Sequence, residues 1–237
     1  MRDNTRDNIY CYPDSNVLVN KLGIIDKDEL FQAEIQFTSA RLYQLQENPI
    51  NGKFGFTHLK KIHQYIFQDL YEWAGKVRKV NIGKGNLFCL VQNIPSYAET
   101  IFNTYYSSCY AAKDNKEEFV GQLVKNYANL NALHPFREGN GRSQREYARE
   151  LCLKCGYVFD LSNTSHKEML NASIISFNEG NNAELFRIFT IAVVPVDEYK
   201  GRPNDFLSIL SSDDLETQEI IESYEYYEPQ YKFCQSK

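Results

Sequence analysis

The chain has 237 residues, 43% of them hydrophobic and 14% aromatic, enough to bury the core of one sizeable domain and unlike a disordered composition. Lys and Arg number 26 against 31 Asp and Glu, a formal net charge of -5, which weighs against a general nucleic-acid binder. The polar start "MRDNTRDNIYCYPDSN" lacks the apolar centre of a secretory signal, and no run approaches the ~18 apolar residues of a membrane helix, so a cytosolic protein without a membrane segment is expected.

The pattern is helical along most of the chain. "DKDELFQAEIQFTSARLYQLQEN" repeats apolar residues every three or four positions, with Asp26 as N-cap and Asn48-Pro49 as the stop. "FTHLKKIHQYIFQDLYEWAG" predicts a second helix, capped by Thr57 and ended by Gly75. In the third, "PSYAETIFNTYYSSCYAAK", Pro95 lies in the first turn, where its missing N–H costs nothing. "NKEEFVGQLVKNYANLNALH" forms the fourth and stops at Pro135, and a fifth begins among the following glycines and runs to Gly156. "SHKEMLNASIISFN" and "NAELFRIFTIAVV" complete a helical bundle.

One segment departs from this pattern. "GKVRKVNIGKGNLFCLVQNI" alternates apolar and polar residues around Gly83-Lys84-Gly85, the mark of a β-hairpin or extended flap. After residue 195 the composition turns acidic and tyrosine-rich, so residues 1–195 are read as the core and 196–237 as a C-terminal appendage. The six cysteines are scattered, and the Cys152/Cys155 pair lies in a helical pattern without a second pair at zinc spacing; free thiols are expected. His58, His63 and His166 have no metal spacing and are read as packing or surface residues, and Trp73 as a core anchor.

The chemistry concentrates in "NALHPFREGNGRSQR", residues 131–145. Pro135 sets His134 at a helix end. Gly139 and Gly141 allow a close backbone approach, and a helix opening at Asn140 or Gly141 presents unpaired N–H groups, a ready anion site. Arg142 and Arg145 share a face of that helix, and two guanidinium groups beside such amides indicate phosphate. Within this positive nest, Glu138 makes sense as a ligand of Mg²⁺, which favours one or two carboxylates plus phosphate oxygens. His134 is the group with a pKa near neutrality, the natural general base.

"HPFREGNGRSQR" resembles the signature of the Fic family, His-x-Phe-x-Asp/Glu-Gly-Asn-Gly-Arg-x-x-Arg, at every defined position, and the likeness extends over roughly residues 10–195. It implies a mainly α, Fic-type helical bundle with a small β-hairpin flap over the active site. It also implies a protein adenylyltransferase, moving AMP from ATP to a Ser, Thr or Tyr hydroxyl of a target protein and releasing pyrophosphate. By the same resemblance His134 is the base, Glu138 binds Mg²⁺, and Gly139, Asn140 and Gly141 cradle phosphates. Arg142 grips the β-phosphate, Arg145 the γ-phosphate, and Phe136 points into the core. Flap residues Ile82, Gly83, Lys84, Gly85, Asn86, Leu87, Phe88 and Cys89 would pair with an extended segment of the target.

Relatives that transfer a terminal phosphate carry lysine where this chain has Gly141, which favours AMP transfer. The inhibitory pattern Ser/Thr-x-x-x-Glu-Gly/Asn does not occur: Tyr43, His134 and Ile175 stand four residues before the glutamates of the three Glu-Gly/Asn pairs. The expectation is the toxin half of a toxin–antitoxin pair, with a separate small protein supplying a glutamate to Arg145. The alternatives are another nucleotide as donor, an exported host-directed effector, or a non-catalytic nucleotide- or protein-binding module.

Overall fold

A computed structural model describes residues 7, 9–84 and 86–200. Eight α-helices are present among them: α1 (Lys27–Glu47), α2 (Phe56–Phe67), α3 (Ile94–Phe102), α4 (Tyr105–Ala111), α5 (Lys116–Leu133), α6 (Asn140–Lys154), α7 (His166–Glu179) and α8 (Ala183–Ala192). The mainly α architecture and its small hairpin follow the expectation. Gly85 and residues 201–237, nearly all of the appendage, lie outside the described residues.

The central helix is α5, whose Phe119, Val120, Leu123, Tyr127, Leu130 and Leu133 are buried at helical spacing. It packs on α3, α4, α6, α7 and α8, while α6 also lies along α2, and α1 against α2. One core runs through all of them, with Phe136 from the loop between α5 and α6 fully enclosed in it. No helix among the described residues is long and apolar enough to cross a membrane.

The helix starts reflect local chemistry. Asp26 caps α1 by accepting the Glu29 N–H at 2.9 Å, as its position suggested. Thr57 does not cap α2: Gly55, extended, takes that place, and the earlier start lets Phe56 pack on the core. Nor does α2 run to Gly75. It stops at Phe67, and the turns that follow fold Trp73 back over Tyr71, with ring centroids 4.3 Å apart. The long third helix is two, α3 and α4, interrupted at Asn103 and Thr104, neither of which favours a helix interior.

Two short antiparallel pairs complete the fold. β1 (Gly83–Lys84) and β2 (Asn86–Leu87) make the hairpin, with Gly83 opposite Leu87 and Lys84 opposite Asn86. It is shorter than the alternation over residues 75–94 suggested. β3 (Tyr157–Phe159) pairs with β4 (Val193–Pro195), and neither was predicted. The run "IAVV" reads as helix, yet α8 stops at Ala192; the β-branched pair Val193-Val194 before Pro195 is better suited to a strand. Cys11, Cys89, Cys109, Cys152 and Cys155 are free thiols, as expected.

Candidate active site

The site forms where α5 ends and α6 begins. Pro135 cannot continue α5, and His134 closes it in the left-handed region (φ 44°, ψ 61°), a strained backbone for a non-glycine residue. Several interactions hold it there. The His134 carbonyl accepts from Arg78 Nε at 2.8 Å, and its N–H reaches the Leu130 carbonyl at 3.1 Å. Phe88 stacks flat on the imidazole at 3.7 Å and is backed by Phe177 at 4.7 Å. His134 Nδ1 lies 3.1 Å from the Asn131 carbonyl, a partner that only accepts. The proton of the neutral ring therefore sits on Nδ1, and Nε2 carries the lone pair.

The loop beyond is tied to itself. Asn140 accepts the Phe136 N–H at 2.9 Å through Oδ1 and donates to the Phe136 carbonyl at 2.8 Å through Nδ2. Its buried side chain thus closes the loop, so Asn140 can offer phosphate only its backbone. Gly139 has φ 77°, and a Cβ there would lie 2.1 Å from the Phe67 ring. Both facts demand glycine. Glu138 Oε1 accepts the Gly139 N–H at 2.8 Å and stands 3.7 Å from Arg142 Nη2.

Arg142 and Arg145 both belong to the first turns of α6 but have different partners. Arg142 donates from Nη2 to Glu34 Oε2 at 2.7 Å and from Nη1 to Thr38 Oγ1 at 3.3 Å, with its guanidinium 4.7 Å above the Phe67 ring. Burial works against its charge, but Glu34 and then Glu138 more than offset this, and its pKa is raised. Arg145 hydrogen-bonds the Tyr127 hydroxyl of α5, and its Nη1 lies 3.1 Å from where a Cβ of Gly141 would be.

The flap divides into two faces. Asn86 and Leu87 are exposed, and Asn86 Nδ2 donates to Asn178 Oδ1 of α7 at 2.8 Å. Ile82 and Phe88 instead turn inward, forming a small cluster with Tyr10 and Val80. Their buried side chains support the flap from beneath. Gly83 is buried, with the Asn86 carbonyl 2.7 Å from a notional Cβ. Cys89 ties the flap's end to α5 through its N–H and the Ala132 carbonyl at 3.0 Å.

Three residues support the site through bonds that the sequence reading did not show. Arg78, 1% exposed, donates to three carbonyls: His134, Val80 at 2.8 Å, and Cys89. It joins the histidine's backbone to both ends of the flap, and burial lowers its pKa to about 10. A lone arginine in the alternating "KVRKVNI" was the available signal. His63 accepts the Gly75 N–H at Nδ1, 2.8 Å away, so Nε2 carries the proton and donates to the Glu138 carbonyl at 3.0 Å. Its ring also stacks on Phe136 at 3.8 Å, and burial drives its pKa down to about 3. His63 is a packing residue, as expected, but one that props the motif loop. The third is Glu34, in the buried stripe Leu30, Glu34, Thr38, Leu42 and Leu45 of α1, where a carboxylate is conspicuous.

No group of three or more His, Cys, Asp or Glu residues suited to a metal occurs among the described residues. Glu138 offers a single hard carboxylate donor just before α6. That donor set fits Mg²⁺ if phosphate and water complete its coordination.

Residues 53–152 match the Fic/DOC family. Protein adenylyltransferase VbhT of Bartonella schoenbuchensis is 40% identical over 169 residues, 71% of this chain; the chain spans only 35% of VbhT's length. Probable protein adenylyltransferase y4lH of Sinorhizobium fredii is 36% identical over 180 residues, 75% of this chain and 92% of y4lH. Among solved structures, the N-terminal Fic domain of a VirB-translocated Bep effector from Bartonella quintana, with bound ADP, superposes with a TM-score of 0.74 at 26% identity. It covers 78% of this chain and 94% of that domain. Motif, bundle and relatives agree: the chain belongs to the Fic/DOC family.

Proposed function

We propose that the protein transfers AMP from ATP to a Ser, Thr or Tyr hydroxyl of a target protein. The observation that carries this reading is the His134 ring, fixed by Asn131 so that Nε2 is the basic atom, beside the glycine-bounded start of α6. In the reaction the target oxygen attacks the α-phosphorus as Nε2 takes the hydroxyl proton. A new O–P bond forms, the bond from the α-phosphorus to the bridging oxygen breaks, and pyrophosphate departs with that electron pair.

The work of the protein is positioning and charge stabilisation. Backbone N–H groups at the start of α6 and the two arginines receive the phosphates, Arg142 the β and Arg145 the γ. Glu138 would hold Mg²⁺, which would supply charge neutralisation to the phosphates. Leu87 and Asn86 form the exposed side of the flap, and by this reading they would meet a target strand. The short, side-chain-free Gly141 supports AMP transfer over terminal phosphate transfer.

ATP is the donor by this reading, and the protein acts in a cytosol as a toxin held off by a separate small protein whose glutamate pairs with Arg145. Incubation with labelled ATP, UTP and CTP tests the donor: ATP alone should label the chain or a lysate, and a clean preference for another nucleotide overturns AMP transfer. For regulation, the purified chain should be active by itself. An inert chain that becomes active when one of its own glutamates is replaced contradicts the separate inhibitor.

A further inference from the structure

Glu34 needs an explanation. It occupies the middle of a stripe that otherwise packs α1 on the core, and its side chain is only 10% exposed. A carboxylate there is costly unless both oxygens are satisfied. They are: Oε1 accepts the Tyr71 hydroxyl, and Oε2 accepts Arg142 Nη2 at 2.7 Å. One turn on, the Thr38 hydroxyl donates to the Glu34 carbonyl at 2.7 Å and accepts from Arg142 Nη1. Phe67 lies under the guanidinium. The fork is thus located by α1, by α2 and by the buried Tyr71 of the turn that follows α2.

This geometry differs from that of a removable inhibitor. Glu34 is the eighth residue of a 21-residue helix and is buried against its neighbours, so it cannot leave without that helix. It and Thr38 take one hydrogen from each terminal nitrogen of a group that carries five, so a phosphate can join the fork while Glu34 stays. We propose that Glu34, oriented by Tyr71, is a positioning residue that fixes the Arg142 guanidinium for the β-phosphate and so sets the preference for ATP over AMP. The inference rests on the nucleotide reading above, since it assigns Arg142 a phosphate.

The experiment compares the 237-residue chain with Glu34→Gln, Glu34→Asp and Tyr71→Phe. Calorimetric titration with a non-hydrolysable ATP analogue plus Mg²⁺, and separately with AMP, should show Glu34→Gln weakening the ATP analogue about tenfold and AMP less than about twofold. Glu34→Asp should recover part of the loss, and Tyr71→Phe should show a smaller loss in the same direction. Equal weakening of both nucleotides would mark Glu34 as merely structural. Tighter ATP binding in Glu34→Gln would mark it as a competitor for Arg142. Either overturns the proposal.

A second readout needs no nucleotide. Nitrogen NMR of the Arg142 side chain, assigned with Arg142→Lys, should show hindered guanidinium rotation in the wild type and free rotation in Glu34→Gln. Hindered rotation persisting in that variant overturns the positioning role. A wild-type chain that binds neither nucleotide overturns the nucleotide reading instead. Should Glu34→Gln fail to fold by thermal melting, Tyr71→Phe, which keeps the carboxylate, carries both measurements, and an unchanged ATP-to-AMP ratio with unchanged rotation overturns the proposal.

Discussion

The motif loop and the flap face each other across His134 but are built on different principles. The loop from His134 to Gly139 is fixed by side chains that bond backbone: Asn140 to both polar atoms of Phe136, His63 to the Glu138 carbonyl, Arg78 to the His134 carbonyl. The flap has one two-residue ladder and an apolar underside, leaving Asn86 and Leu87 outside. A site that must hold phosphates in register needs the first kind of construction. A surface that must accept different extended segments is served by the second.

The comparison can be broken most severely at Arg78, the residue that joins the two regions. Arg78→Met should take the donor from three carbonyls, two of them in buried bonds, and cost roughly 3–5 kcal/mol, read as a lowered midpoint in urea. A change below about 1 kcal/mol would show that the flap and loop are held independently of it.

His63 sharpens the contrast on the loop side. Its ring is neutral when folded, with a pKa near 3 against 6.5 when unfolded, so the unfolded chain binds the extra proton between these values. The stability it contributes is present in full above pH 6.5 and is lost as the pH falls toward 3. His63→Gln should lower stability near neutrality by about 1–3 kcal/mol and flatten that acid limb. A limb of unchanged slope in a pH series of urea melts would remove His63 from the account.

The smallest effect on stability should come from the flap. Leu87→Asp, on an exposed residue, should shift stability by no more than about 0.5 kcal/mol while reducing AMP transfer to a protein target. ATP affinity should stay the same. Unaltered transfer would take Leu87 out of target docking.

What was legible in the sequence follows the same divide. The motif residues lie within twelve positions, so spacing alone set His134 at the end of one helix and Glu138 and both arginines about the start of the next. The hairpin could be placed from its glycines, but not which side faced the core, because that depends on Tyr10 and Phe177, far off in the chain. Glu34 and Arg78 stand 108 and 56 positions from the residues they hold, and nothing local marks a partner at such distance. His63 was seen as a packing residue; its bond to Glu138, 75 positions on, emerges only when the Gly75 corner folds back.

The most direct measurement is AMP transfer set beside ATP binding in His134→Ala. If the Nε2 lone pair takes the hydroxyl proton, transfer to the target falls by about 10²–10⁴-fold while ATP affinity stays within about threefold. Transfer at the wild-type rate in that variant would contradict the account.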